Sequence, residues 1–192
     1  HVDALAAIGT YNVESCALSC VEKRLEPLTR YQGIDLLLGL QKTDSYGQNF
    51  SKPLQQLLRD YVAQRGQLLV SGSYAASDQR SESDRKFLSD VFKVESVSCD
   101  SCHAGETVYA VRDSFDIYRT PNADHYAAIS VDALQPLDGA ATVLQYSDGQ
   151  PAATCYRGPS YRAWFMGFPF ECIRQRSQRV MLMHTIMQQL FQ

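Results

Sequence analysis

The sequence predicts a single α/β domain. Three observations predict it: the first half alternates apolar runs with helical periods, the second half breaks into short β-type runs, and the chain closes on one long amphipathic helix. The 192 residues suit one domain with an elaboration, spanning 1–192 with a hairpin-rich part over about 94–170.

Residues 34–40 form a nearly unbroken apolar run ending in turn chemistry at Asp44, Ser45 and Gly47, the pattern of a strand buried on both faces of a parallel sheet. A helix is expected next. Ser51 suits its N-cap, Pro53 its first turn, and Leu54, Leu57, Leu58, Tyr61 and Val62 recur at helical spacing before Gly66 ends it. Residues 67–72 read as a second buried strand. Ser81 to Asp84 then opens a helix in capping-box style, carrying Phe87, Leu88, Val91 and Phe92 inward. Upstream, residues 2–8 suggest a short helix, 11–17 are a candidate further strand, and 21–31 carry no clear period.

The later strand candidates are 107–111, 115–118, 126–131, 142–146, 152–156 and 162–168, separated by Gly, Pro, Asn and Asp. The last helix covers 176–191, with Val180, Met183, Met187, Leu190 and Phe191 on one side; its methionines read as core filler.

Composition excludes several classes. With 45% hydrophobic and 20% charged residues the chain is neither disordered nor collagen-like nor a coiled coil. A net charge of −3 with scattered basic residues argues against nucleic-acid binding. No apolar run reaches the length of a membrane-spanning helix, so membrane insertion is not expected, and no secretory signal pattern opens the chain. The sequence begins at His1 without Met and reads as part of a longer protein. Six cysteines (Cys16, Cys20, Cys99, Cys102, Cys155, Cys172) are many for a cytosolic chain and favour an oxidising location with disulfides: secreted, periplasmic or at the cell surface.

Cys99, Cys102 and His103 match the C-x-x-C-H pattern of thioether-bound haem. Their context, between a β-like run and Gly105, offers no helix beside an apolar pocket. A loop disulfide or two plain thiols is the better reading. Zinc would need two further ligands, for which Cys16 and Cys20 are the only other close pair, and no helix follows Cys102 to lower a thiol pKa. No cofactor is therefore expected. The common hydrolase and phosphate-loop signatures are missing, and the nearest approach to a nucleophile elbow is the stretch 70–76, which leaves a buried strand for a turn.

The apolar strand 34–40, the helix ending near Gly66, the strand and turn through Gly72, Ser73 and Tyr74 with Asp78 after it, and the Gly167-Phe168-Pro169-Phe170-Glu171 segment together resemble the class I glutamine amidotransferase-like superfamily. Within it they look most like a domain of large secreted bacterial proteins described as xanthan lyases. The resemblance covers most of the chain, on motifs of moderate specificity. It implies a three-layer flavodoxin-like parallel sheet with antiparallel hairpins inserted before the C-terminal helix. It also implies a catalytic Cys on the turn after the central strand and a late His-Pro-Glu.

Here Tyr74 falls on the Cys position and Pro169 on the His position, so that only Glu171 of the triad survives. A phenol without an adjacent base is a poor acyl acceptor at neutral pH, and proline carries no proton to exchange. Triad chemistry is excluded on these grounds. Neither Cys172, at the expected foot of the last helix, nor Ser73, with no marked base, replaces it.

The implied function is a non-catalytic accessory or binding domain of a secreted, polysaccharide-related protein, with other domains of the same polypeptide and carbohydrate as partners. Asp44, Tyr74, Asp78 and Glu171 are expected near the carboxyl edge of the sheet, where acids and aromatics suit a sugar or a cation. The plainer reading of Asp44 and Asp78 is that they cap turns. Two alternatives remain open: a hydrolase or amidase with Glu171 as acid or base and Asp78 nearby, and a haem or metal protein using Cys99, Cys102 and His103. The aromatic set Tyr146, Tyr156, Tyr161, Trp164, Phe165, Phe168 and Phe170 would stack on sugars if exposed, but strand alternation assigns about half of it to the core.

Overall fold

The structure, a computed structural model, describes residues 1–44, 48–97 and 105–192. Helix α1 (Val2–Ile8) and the short α2 (Leu18–Glu22) precede strand β1 (Gly33–Gly39), after which α3 (Lys52–Ala63), β2 (Gln67–Gly72) and α4 (Glu82–Val91) follow as the periodicity predicts. Both main caps form as expected. Ser51 Oγ accepts the Leu54 N–H at 3.3 Å, and Ser81 Oγ accepts the Asp84 N–H at 3.1 Å.

The remaining strands are β3 (Val94–Val97), β4 (Thr107–Tyr109), β5 (Ser114–Asp116), β6 (Ala133–Pro136), β7 (Ala140–Tyr146), β8 (Pro151–Arg157) and β9 (Arg162–Met166), before α5 (Arg176–Phe191) closes the chain. Seven of the nine strands among the described residues make one sheet in the order β1-β2-β9-β8-β7-β4-β5. Only β1, β2 and β9 run parallel; from β9 outward each neighbour is antiparallel. The parallel part is therefore smaller than the sequence suggested. The hairpins are not a separate insertion, because they extend the same sheet, while β3 and β6 form a ribbon of their own.

Each face of the sheet carries its own core. Leu68, Val70 and Phe165 pack with Leu54 and Leu58 of α3 and Phe87 of α4. On the alternate positions, Leu69, Trp164 and Met166 pack with Leu5 of α1 and with Met183 and Ile186 of α5. The strand pleat thus sorts the side chains of β2 and β9 between two cores. Trp164, Phe165, Phe168, Phe170 and Tyr146 are all buried, and Tyr161 ties its phenol to the Val91 carbonyl at 2.9 Å. These aromatics are core and structural ties, not a sugar platform.

Two local readings need correction. Residues 11–17 form no strand: they are an irregular, mostly exposed crossing between α1 and α2 in which Tyr11 is anchored against Phe191, leaving β1 as the sheet edge. Residues 126–131 form no strand either, because Ala128 is held instead between the Tyr118 carbonyl and the Arg119 guanidinium. The ribbon strands β3 and β6 carry too few alternations to stand out in sequence. The four described cysteines, Cys16, Cys20, Cys155 and Cys172, are all free thiols. Among the described residues no helix is long and apolar enough to cross a membrane.

Candidate functional site: the carboxyl ends of the parallel strands

The turn after β2 is built on close backbone approach. A Cβ at Gly72 would lie 2.7 Å from Leu38 Cβ, and the next residue, Ser73, donates its N–H to the Gly39 carbonyl at 2.8 Å. Tyr74 then takes φ of +60°, a conformation costly for an aromatic residue. Asn49 holds it there by donating to the Tyr74 carbonyl at 3.0 Å, and Lys42 sits 5.0 Å over its ring.

The turn then wraps an internal carboxylate. Asp132, buried beneath it, accepts the Ala76 N–H at 2.6 Å and is also bonded to Ser77. Burial raises Asp132 to about 6, against the pull of the Ser77 and Ala76 hydrogen bonds. Backbone amides that could face an incoming anion are thus bound to the protein's own carboxylate.

Asp78 and Asp44 tie the loop after β1 to this turn. Asp78 accepts both the N–H and the hydroxyl of Thr43 at 2.7 Å, while Arg80 reaches Asp44 at 2.7 Å and Asp78 at 3.3 Å. Asp78 is buried and fully used in this way. Asp44 is exposed and only pairs with a cation. Both act as turn ties, and Asp78 is committed to Thr43 rather than to chemistry at Glu171.

Glu171 occupies a different arrangement, on the single 3-10 turn that follows β9. Its carboxylate lies between His1, whose Nε2 donates at 3.2 Å, and the phenol of Tyr126, which donates to the other oxygen. The second imidazole nitrogen, Nδ1, lies 2.6 Å from Asp35 of β1. The ring is almost wholly buried and tilts against Phe170 at 4.7 Å. Burial alone would lower the His1 pKa, but the hydrogen bonds and charges of Asp35 and Glu171 outweigh it and raise it to about 9. At neutral pH the imidazolium therefore donates from both nitrogens.

The Glu171 carboxyl is pushed up by burial and more than offset by His1 and Tyr126, which hold it below its ordinary value. Burial and the same carboxylate raise the Tyr126 phenol strongly. Gly39 joins the two halves of the crevice: its carbonyl takes the Ser73 N–H, and a Cβ built on it would lie 3.4 Å from the Tyr126 hydroxyl and 4.0 Å from Glu171 Oε1.

Asp44, Tyr74 and Asp78 thus share one rim, and Glu171 meets them across Gly39. Sequence reasoning missed His1, Asp35, Tyr126 and Asp132. Only Asp35 left a signal, as a lone carboxylate within an apolar run. Cys99, Cys102 and His103 lie outside the described residues, among which no group of His, Cys, Asp and Glu side chains is disposed to hold a metal ion. Cys172 is buried, and that burial raises its thiol to about 12, far from a reactive thiolate.

No protein-family model matches the chain, and no curated protein matches it. Solved structures do. The N-terminal domain of mmIFT52 superposes with a TM-score of 0.61 at 11% identity, covering 98% of this chain and 91% of that one. A glutamine amido transferase from Methylobacillus flagellatus gives 0.54 at 14% identity, over 96% of this chain and 68% of that one. The exo-beta-1,4-mannosidase Op5Man5 from Opitutaceae bacterium strain TAV5 gives 0.56 at 11%; 87% of this chain is covered, but the chain spans only 27% of the mannosidase. At these identities the likeness is one of fold: a mixed α/β fold shared with a glutamine amidotransferase among others.

Proposed function

We propose that the chain is a non-catalytic, glutamine amidotransferase-like accessory domain, of three-layer flavodoxin-like descent, in a secreted, polysaccharide-related protein of the xanthan-lyase kind. Its crevice binds a hydroxyl-bearing ligand and turns nothing over. The observation that carries this reading is the state of Glu171: an anion held between His1 and Tyr126, with some exposure left toward the crevice. A carboxylate so held is too weak a base for general catalysis, yet retains free lone pairs for a ligand hydroxyl.

The neighbouring residues support it. Tyr74 stands at the strained turn position, with no described side chain disposed to take its proton, and Pro169 stands where a His would be needed. A quarter-length segment of a mannosidase with the same fold is fitting company for an accessory domain. The test is an assay of the purified chain against glutamine and activated esters. No turnover above buffer is expected; turnover abolished by Glu171→Gln would overturn the reading and favour a hydrolase built around Glu171.

A further inference from the structure

At the opposite end of the sheet, where β1 and β2 begin, lies a cavity of about 510 Å³, within the size range of small-ligand sites. Buried Tyr61 lines it and donates its phenol to the Tyr31 carbonyl at 3.0 Å. Tyr11, Tyr31 and Phe191 line it together with Gln32, Gln64 and Arg65, the Gln64 amide also donating to the Asp60 carbonyl at 3.3 Å. The rings are held: Tyr11 and Phe191 pack at 5.9 Å, and the Tyr31 hydroxyl lies 2.6 Å from Glu14 and 2.9 Å from Glu26, its one proton serving one carboxylate at a time.

Arg65 is the telling residue. It follows α3 with φ of +68°, the conformation that glycine accepts freely and arginine does not. The glycine of this turn stands one place later, because a Cβ at Gly66 would lie 2.2 Å from the Tyr61 ring. Among the described residues the Arg65 guanidinium meets no carboxylate. The chain thus keeps an exposed arginine with positive φ and no carboxylate partner in the cavity that Tyr11, Tyr31 and Phe191 also line.

We propose that this cavity binds a pyranose sugar, with its apolar ring face on Tyr11 and Phe191 and its hydroxyls on Gln32, Gln64 and Arg65. Aromatic faces match the C–H face of a sugar ring, and planar amides and guanidinium pair with adjacent hydroxyls or a ring carboxylate. The site stands independently of the Glu171 crevice.

The test is an amide-detected NMR titration of the whole chain with cellopentaose, mannopentaose and pentagalacturonate, each to about 10 mM, which reaches affinities weaker than 1 mM. At least one of these should shift residues 11, 29–32, 61–67 and 191. Binding of only the galacturonate assigns a carboxylate to Arg65, and binding of the neutral sugars assigns hydroxyls. Arg65→Gly relieves the positive φ, so it should raise the melting midpoint while weakening the sugar about 10-fold, a split that a merely structural role does not produce. The proposal is overturned if no sugar shifts these residues, or if Arg65→Gly binds as tightly as the parent. Shifts at Gly39, Tyr126 and Glu171 instead would support the crevice reading alone.

Discussion

His1 and Asp35, separated by 34 residues in sequence, meet at 2.6 Å with the imidazole almost wholly buried, and the same ring reaches Glu171 on its other side. This contact clasps α1 to both β1 and the turn after β9. Because His1 rises from 6.5 to about 9 in the folded chain, its stabilisation is fully present below 6.5 and is lost as the pH climbs through 9. A rise of that size corresponds to roughly 3–4 kcal/mol. Glu171, held below its ordinary value, works in the other direction and loses its contribution as the pH falls below the usual carboxylate range. Urea unfolding across pH is expected to show a decline from near neutral to about pH 9 that is absent in His1→Gln; an unchanged alkaline limb in that variant would refute the clasp.

Replacing His1 by a residue with no polar group should strand its partner carboxylates. His1→Ala leaves Asp35, whose Oδ1 already has no partner, as a half-buried carboxylate without its counterion, at a cost below the roughly 3–5 kcal/mol of a fully buried pair. Asp35→Asn in that background removes the stranded charge and should recover part of the loss. A double-mutant cycle by chemical denaturation measures this, and simple additivity of the two substitutions would show that they do not interact.

The contrast between caps and clasp shows what the sequence could reveal. Ser51 and Ser81 each accept an N–H only three residues ahead, so their roles are legible in the local pattern, as are the apolar runs of β1 and β2 and the helical period of α3. Pairing is less legible. The hairpin strands could be found from composition, but nothing local says that β8 and β9 continue the sheet that β1 and β2 begin. The site is least legible of all, because His1, Asp35, Tyr126 and Glu171 come from four distant segments and only the fold brings them together. Asp44 and Asp78 could be read as turn residues, and the structure uses them as turn ties.

The close approach at Gly72 makes a sharp prediction about the crevice. Adding one methyl there sets Cβ 2.7 Å from Leu38 Cβ and 3.3 Å from the Gly39 backbone, which cannot swing aside. Gly72→Ala should cost about 1–3 kcal/mol through overpacking, and should also perturb Gly39 and Ser73, which lie on either side of the contact. Denaturation midpoints check the first effect, and amide shifts of Gly39 and Ser73 check the second. A neutral substitution would mean that the two strand ends are not in contact.

Tyr74 offers the opposite case, a residue whose replacement should stabilise. At φ of +60° glycine carries no Cβ penalty, so Tyr74→Gly is expected to gain up to about 1 kcal/mol, less the small cation–π contribution of Lys42. Tyr74 is only half-buried, so little core packing is lost. A raised melting midpoint is the expected outcome. A fall of more than about 1 kcal/mol would place the ring in packing interactions stronger than the Lys42 contact.

Asp132 should set the acid side of the stability profile. Its folded-state value of about 6 lies above the ordinary 3.8, so its charge opposes folding at neutral pH, and the penalty is relieved as the pH falls through 6 toward 3.8. Asp132→Asn keeps an oxygen for the Ala76 N–H and removes the charge. It should match or exceed the parent at about pH 7.5 and lose the parent's relative gain at about pH 5. Asp132→Ala provides no acceptor at all and strands the Ala76 amide, at about 1–3 kcal/mol at either pH. If Asn and Ala behave alike, the turn does not depend on that oxygen, and the self-occupied amides beneath Tyr74 must be satisfied in some other way.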